Sequence, residues 1–137
     1  MGLILDSSVV IAAERFGQSA YQMIEALGLQ TGDSELAVSV VTVMELAHGV
    51  TRANNSQRRG ARQRFLDDLL VGAPVHPVSV AIGLRAGEID GDLQAKGIRV
   101  AVGDLLIGST ALELGYSVLT HNTRHFEAIP DLTVVRL

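Results

Sequence analysis

LILDSS at residues 3–8 is a short apolar run that ends in an acid and two hydroxyl residues. Consecutive branched apolar residues of this kind are typical of a strand that is buried on both faces. The run stops at Asp6, and residues 8–27 follow with helical spacing that breaks near Gly17. The stretch therefore predicts a buried strand with a helix directly after it.

The same alternation of short apolar runs and helical patterns continues along the sequence. Further strands are predicted at residues 36–40, 75–78, 118–120 and 133–136, and further helices at residues 43–53, 58–71, 79–96 and 104–115. We expect Ser79 to cap its helix, and Gly97 and Gly115 to follow the last turns of theirs. This alternation implies an α/β fold in which one parallel sheet of five strands has helices on both faces.

The composition fits a single domain over residues 1–137. The chain is 47% hydrophobic and has no Cys, so it can bury a core and has neither disulfides nor thiolate metal sites. No signal peptide is recognisable, and the longest apolar stretch is about half of a membrane span, so we expect a cytoplasmic protein. The net charge of −4 argues against binding nucleic acid by bulk electrostatics, but not against an enzyme that binds RNA locally with divalent cations.

Three carboxylates follow predicted strands or begin predicted helices. Ligands bind at this edge of a parallel α/β sheet, so Asp6, Glu45 and Asp104 are candidate site residues. Each also has a structural interpretation. Asp6 and Asp104 could each cap a helix, and Glu45 has the capping-box spacing from Thr42, which is the favoured interpretation of Glu45 on the residues alone.

The three acids gain weight because they fall at one location in the predicted fold. Carboxylates gathered in one place repel each other strongly unless a cation lies between them. Mg²⁺ and Mn²⁺ prefer oxygen ligands and resolve this conflict. The pattern therefore indicates metal-assisted hydrolysis, in which a cation activates water and stabilises the leaving oxygen of a phosphodiester.

Four segments together resemble a known family. They are residues 3–8, residues 39–49 with Glu45-Leu46, residues 103–107 followed by Ala111, and residues 118–122 through His125-Phe126. In this order and spacing, the chain resembles the PIN-domain ribonucleases and, within them, the VapC-type toxins of bacterial toxin–antitoxin modules. The resemblance implies an α/β/α sandwich with a central parallel sheet. It also implies an endoribonuclease, a homodimer, and inhibition by a cognate antitoxin protein.

The resemblance also implies roles for individual residues. Asp6, Glu45 and Asp104 are the expected metal-binding acids for Mg²⁺ or Mn²⁺, and Thr120, with Ser7, is an expected supporting group. Asn122 stands where many PIN domains have a fourth acid. An amide oxygen can bind a cation but brings no charge, so a second metal would be held more weakly. Asn122 is kept as a secondary site residue.

Charged groups elsewhere have competing interpretations. An arginine cluster is either an RNA-binding edge or a solvated helix face: Arg52, Arg58, Arg59, Arg62 and Arg64. A second acidic group, Glu88, Asp90 and Asp92, is interpreted as a solvated face. His121 and His125 have the spacing of some zinc ligands but lack the rest of such a motif.

Two other functions compete with the ribonuclease. One is a catalytically weak PIN-like domain that binds RNA or protein, which Asn122 favours and the three acids oppose. The other is a phosphatase or receiver domain with Asp6 as nucleophile. It is disfavoured because Ser8 stands where a phosphatase needs a second Asp, and the only Lys, Lys96, lies inside a predicted helix.

Overall fold

A computed structural model describes residues 2–32 and 34–137 and contains one sheet of five parallel strands. The strands are β1 (Gly2–Leu5), β2 (Glu35–Ser39), β3 (Val75–His76), β4 (Ser117–Thr120) and β5 (Val134–Arg136). Their order is β3-β2-β1-β4-β5, with every neighbouring pair parallel. The predicted five-stranded parallel sheet is therefore confirmed.

In the part of the chain that the structure describes, six helices connect or follow the strands. They are α1 (Ser7–Arg15), α2 (Ala20–Gln30), α3 (Val40–Thr51), α4 (Ser56–Gly72), α5 (Val80–Ala95) and α6 (Val102–Leu114), and a 3₁₀ turn spans Thr123–His125. The predicted break near Gly17 separates α1 from α2. Within the described residues, no helix combines the length and apolar character that crossing a membrane requires.

The alternating side chains of β1 pack into two separate cores. Leu3 and Leu5 lie in the core formed with α1, α2, α3 and α4, whereas Ile4 lies in the core formed with α6. Ile4 and Leu5 are both 0% exposed. Complete burial of such a side chain contributes about 1.5–3 kcal/mol. The run is therefore apolar at every position, because the strand faces a helical layer on each side.

The ends of α5 and α6 confirm the predicted capping residues, whereas one predicted strand boundary needs correction. Ser79 caps α5 by accepting a hydrogen bond from the Ile82 amide at 3.2 Å. Gly97 and Gly115 adopt positive φ angles of 76° and 69° after α5 and α6, which suits residues without a side chain. The expected strand at 36–40 was displaced by one residue, because β2 spans Glu35–Ser39 and Val40 already begins α3.

The order of the strands fixes where a site can form. β1 pairs with β2 on one side and with β4 on the other, so the direction of winding reverses between β1 and β4. At such a reversal, the connecting helices leave toward opposite faces and open a crevice at the carboxyl ends of the strands. Asp6 directly follows β1, and Thr120 ends β4. Both residues therefore lie at the edge where parallel sheets bind their ligands.

Two glycines test this packing. A β-carbon on Gly2 would overlap the ring of Tyr116, whose hydroxyl donates to Glu35 at 2.7 Å, whereas a β-carbon on Gly87 meets open space in the middle of α5. We expect Gly2→Ala to lower the free energy of unfolding by about 1–3 kcal/mol through overpacking. Gly87→Ala should raise it by about 0.5–1 kcal/mol through helix propensity. Urea denaturation of both variants measures the two effects, and equal stabilities would contradict the prediction.

Candidate active site

Asp6 is a buried carboxylate between the two central strands. It is 4% exposed, and its Oδ2 accepts hydrogen bonds from the Ser8 hydroxyl at 2.7 Å and the Thr120 hydroxyl at 2.8 Å. The Thr120 hydroxyl in turn accepts a hydrogen bond from the backbone amide of Asn122 at 2.9 Å. These bonds fix the orientation of the carboxylate and tie the end of β1 to the end of β4.

Asp6 occupies the N-cap position of α1 without acting as a side-chain cap. Its backbone is extended, and among the described residues its side chain makes no capping hydrogen bond to α1. The carboxylate is used by the two hydroxyl groups instead. Asp6 therefore occupies the N-cap position, but the interpretation that its side chain caps the helix is wrong.

Glu45 belongs to the second turn of α3, and the predicted capping box does not form. Ser39 caps α3 by accepting from the Val41 amide at 3.1 Å. Thr42 lies inside the helix, where its buried hydroxyl is 3.0 Å from that of Ser7. Burial raises the pKa of Glu45, hydrogen bonding with Ser7 opposes this, and the charge of Asp6 raises the pKa further.

Asp104 lies in the first turn of α6, two residues after the helix begins. The N-cap is Ala101, so the expectation that Asp104 opens the helix is wrong. Burial raises the pKa of Asp104 to about 6, the charges of Asp6 and Glu45 raise it as well, and His125 lowers it. The Nδ1 of His125 lies 3.4 Å from Asp104 Oδ2. A carboxyl group in this position holds its proton more tightly than usual.

The three acids come from three different elements and lie close enough to influence one another's ionisation. Asp6 affects the pKa of both other acids, and Glu45 affects that of Asp104. A β-carbon on Gly103 would lie 3.7 Å from Glu45 Oε1, so the start of α6 approaches α3 closely. Within residues 2–32 and 34–137, however, no three acid or His side chains already surround an ion-sized position. The acids are neighbours whose side chains do not yet point at one centre.

The supporting residues are partly those expected from the sequence. Thr120 contacts Asp6 directly, whereas Asn122 reaches it only through its backbone amide and Thr120, and its side chain is exposed. Ser8 and His125 contact the acids and were not predicted as site residues. Ser8 is two residues from Asp6, a spacing that favours local hydroxyl–carboxylate bonds. The contact of His125 with Asp104 depends on tertiary structure alone.

The remaining charged groups lie outside the acid cluster. Arg59 and Arg62 donate to backbone carbonyls at the end of α3, Thr51 at 3.1 Å and Gly49 at 2.7 Å, which gives both a structural role. On α5, Asp90 accepts hydrogen bonds from Gln94 at about 3 Å. The solvated-face interpretation of the second acidic group therefore agrees with its position.

This geometry defines a class of protein: an α/β/α domain with a carboxylate-centred site where the winding of a parallel sheet reverses. Residues 3–132 match the sequence profile of the PIN domain. The chain is 31% identical over 135 residues to ribonuclease VapC1 of Rickettsia felis, and the aligned region covers 98% of this chain and 96% of VapC1. The chain belongs to the PIN domain family and, within it, to the VapC group.

Solved structures share the fold. VapBC2 of Rickettsia felis, bound to a DNA fragment from its promoter, matches with a TM-score of 0.85 and 24% identity over 100% of this chain and 99% of that one. VapBC-5 of Mycobacterium tuberculosis, a member of the VapBC family of toxin–antitoxin systems, matches with a TM-score of 0.74 and 24% identity over 100% and 98%. The predicted PIN-like α/β/α fold is confirmed.

The raised pKa of Asp104 predicts a pH-dependent stability. The folded state holds the proton up to a pH of about 6, whereas the unfolded chain releases it near 3.8. The resulting stabilisation is present at low pH and is lost as pH rises through this window, by at most about 3 kcal/mol. In metal-free buffer, the melting temperature should therefore fall between pH 5 and pH 7 in the wild type.

The matching variant is Asp104→Asn, which cannot ionise. Its melting temperature should change less than that of the wild type over the same pH interval, and differential scanning calorimetry measures both. Identical pH profiles for the two proteins would contradict the assigned cause.

The Thr120 hydroxyl provides a second prediction. Thr120→Val keeps the shape of the side chain but leaves Asp6 and the Asn122 amide each without a partner that they have in the wild type. We expect unfolding in urea to show a loss of about 2 kcal/mol. Thr120→Ser retains the hydroxyl and should lose distinctly less, so a larger loss in the Ser variant would show that the methyl group matters more than the hydrogen bonds.

Proposed function

We propose that this chain is a divalent-metal-dependent endoribonuclease and the toxin of a toxin–antitoxin pair. The observation that carries the proposal is the convergence of Asp6, Glu45 and Asp104 at the reversal point of the sheet, with pKa values of the latter two raised by burial and by neighbouring acids. The assignment to RNA is supported by the VapC relative, which is named a ribonuclease.

The donor set fits Mg²⁺ or Mn²⁺. Its ligands are carboxylate oxygens, which these cations prefer, and the cluster carries mutual repulsion that a divalent charge relieves. Asp6, Glu45 and Asp104 would hold the ion. When bound, the ion supplies Lewis-acid stabilisation of the phosphodiester and lowers the pKa of water.

The chain's own groups hold this arrangement in place. The hydroxyls of Ser8 and Thr120 fix the Asp6 carboxylate, so that one acid is oriented before anything binds. Glu45 and Asp104 are more exposed than Asp6 and complete the site from α3 and α6. Thr120 also accepts a hydrogen bond from the backbone amide of Asn122, and the exposed Asn122 side chain would serve as a secondary, uncharged donor.

A protein partner and a second copy belong to the same proposal. The matched solved structures include a member of a toxin–antitoxin family, and an antitoxin could block the acidic pocket with a basic side chain such as Arg. Apolar side chains near the site are solvent-exposed: Val40 is 40%, Met44 64% and Val102 71% exposed. Exposed apolar groups of this kind are typical of an interface, and we assign them to the homodimer.

The test is cleavage of total RNA by partner-free protein, with Mn²⁺, with Mg²⁺, and with chelator. We expect discrete cleavage that requires the metal and falls by at least about 100-fold in Asp6→Asn and Asp104→Asn variants, because both remove a proposed ligand. Asp92→Asn is the matched control, since it removes the same charge from exposed α5 and should cleave like the wild type.

Two outcomes would redirect the proposal. Metal binding by calorimetry without cleavage would favour a binding domain, the alternative that Asn122 suggests. Neither metal binding nor cleavage by the wild type would contradict the metal-dependent nuclease and leave the acids with a structural role only.

A further inference from the structure

A groove leads away from the acid site along α1, α3 and α4. Its first part encloses about 280 Å³ and includes Glu45, Ile11 and His48 in its wall. A second part encloses about 550 Å³ and is lined by Arg58 and Ala61 of α4. Both parts share Glu14, Arg15 and Arg62, so they form one continuous surface. We call it the basic groove, and one end of it is a candidate metal ligand.

The charges of the basic groove differ from those of the chain as a whole. The chain has a net charge of −4, but Arg15, Arg58 and Arg62 all line the groove. Glu14 and Glu45 are the opposing acids, and the charge of Glu14 is offset by Arg62, whose Nε lies 4.0 Å from Glu14 Oε1. Among the ion pairs of residues 2–32 and 34–137, none uses Arg15 or Arg58. Their guanidinium groups are exposed and available to an anion.

The uncharged part of the groove wall also suits a nucleotide. Ile11 and Leu46 supply an apolar surface next to the cationic side chains. Arg62 is held in place by its bond to the Gly49 carbonyl at 2.7 Å, so this part of the wall is preformed. A single strand presents the same alternation, with phosphates along one edge and apolar base faces beside them.

An endonuclease needs such a path. Cleavage inside a chain leaves nucleotides on both sides of the reacting phosphate, and at least one flank must cross the protein surface. The carboxylates repel those flanking phosphates, whereas the groove that begins at Glu45 attracts them. We propose that the basic groove binds the phosphates of the RNA strand that leaves the acid site, with Arg15 and Arg58 as its phosphate contacts. This inference rests on the proposed ribonuclease function.

The test compares two double variants with the same change in net charge. Arg15→Gln with Arg58→Gln alters the groove, and Arg52→Gln with Arg64→Gln removes two arginines of the same region that do not line it. Binding of a labelled, unstructured RNA oligonucleotide of mixed sequence is measured by fluorescence anisotropy over a range of KCl concentrations. Cleavage of total RNA with Mn²⁺ is measured in parallel.

We expect the groove variant to bind RNA about 10-fold more weakly and to lose about 1.4 from the slope of log affinity against log salt, since each single-strand phosphate contact contributes about 0.7. Its cleavage should require correspondingly more RNA for the same rate, while kcat at saturation stays unchanged. The control variant should keep the salt slope of the wild type. If the groove variant melts below the assay temperature, Arg58→Gln alone should show half of the change in slope.

The outcomes separate this inference from the proposed function. Absence of metal-dependent cleavage by the wild type would contradict the function itself. Cleavage by the wild type with equal binding and salt slopes in both double variants would overturn the groove alone.

Discussion

A carboxylate buried at the end of the central strand is the constraint on which the rest of the structure depends. An isolated acid in that position is costly, because burial removes the water that stabilises its charge. Hydroxyls from the start of α1 and from the end of β4 supply the missing donors. The sheet must therefore place β4 beside β1, and the helices must leave an opening above both. Glu45 and Asp104 approach that opening from α3 and α6. The fold therefore brings three acids close together, where burial and mutual repulsion disfavour their charged forms.

Much of the fold follows from local sequence, and less of the site does. The strands could be predicted because LIL and the later apolar runs are short and continuous and alternate with longer helical patterns, as buried strands of a parallel sheet do. The position of Asp6 followed from the same pattern, because Asp6 ends a run, whereas Thr120 was expected from the family resemblance alone. Thr42 and Asp104 were misassigned as helix-start residues, since Ser39 and the turn at Ala101 begin their helices one turn earlier than the apolar spacing indicates. The contacts of Ser8 and His125 depend on tertiary distances that no local pattern contains.

The net charge of −4 is compatible with the proposed RNA substrate because charge is distributed unevenly over the protein. Arginines are concentrated on α4 and at the end of α1, whereas Asp6, Glu45 and Asp104 lie near the reversal point of the sheet. Two of those arginines, Arg59 and Arg62, bind the terminal carbonyls of α3 and join two helices. The arginine cluster is therefore not wholly a solvated face. The same short segment stabilises α3 and brings positive charge near the site.

The bond between Asp6 and Thr120 joins residues separated by 114 positions in the chain. During synthesis, the first strand leaves the ribosome long before the strand that carries its partner hydroxyl. Until β4 has emerged and paired with the open edge of β1, the carboxylate lacks the Thr120 hydroxyl and α6 has no completed sheet to pack on. A ribosome-bound nascent chain thus lacks the assembled acidic centre for most of its translation, and the order of synthesis itself delays the moment at which the protein becomes competent.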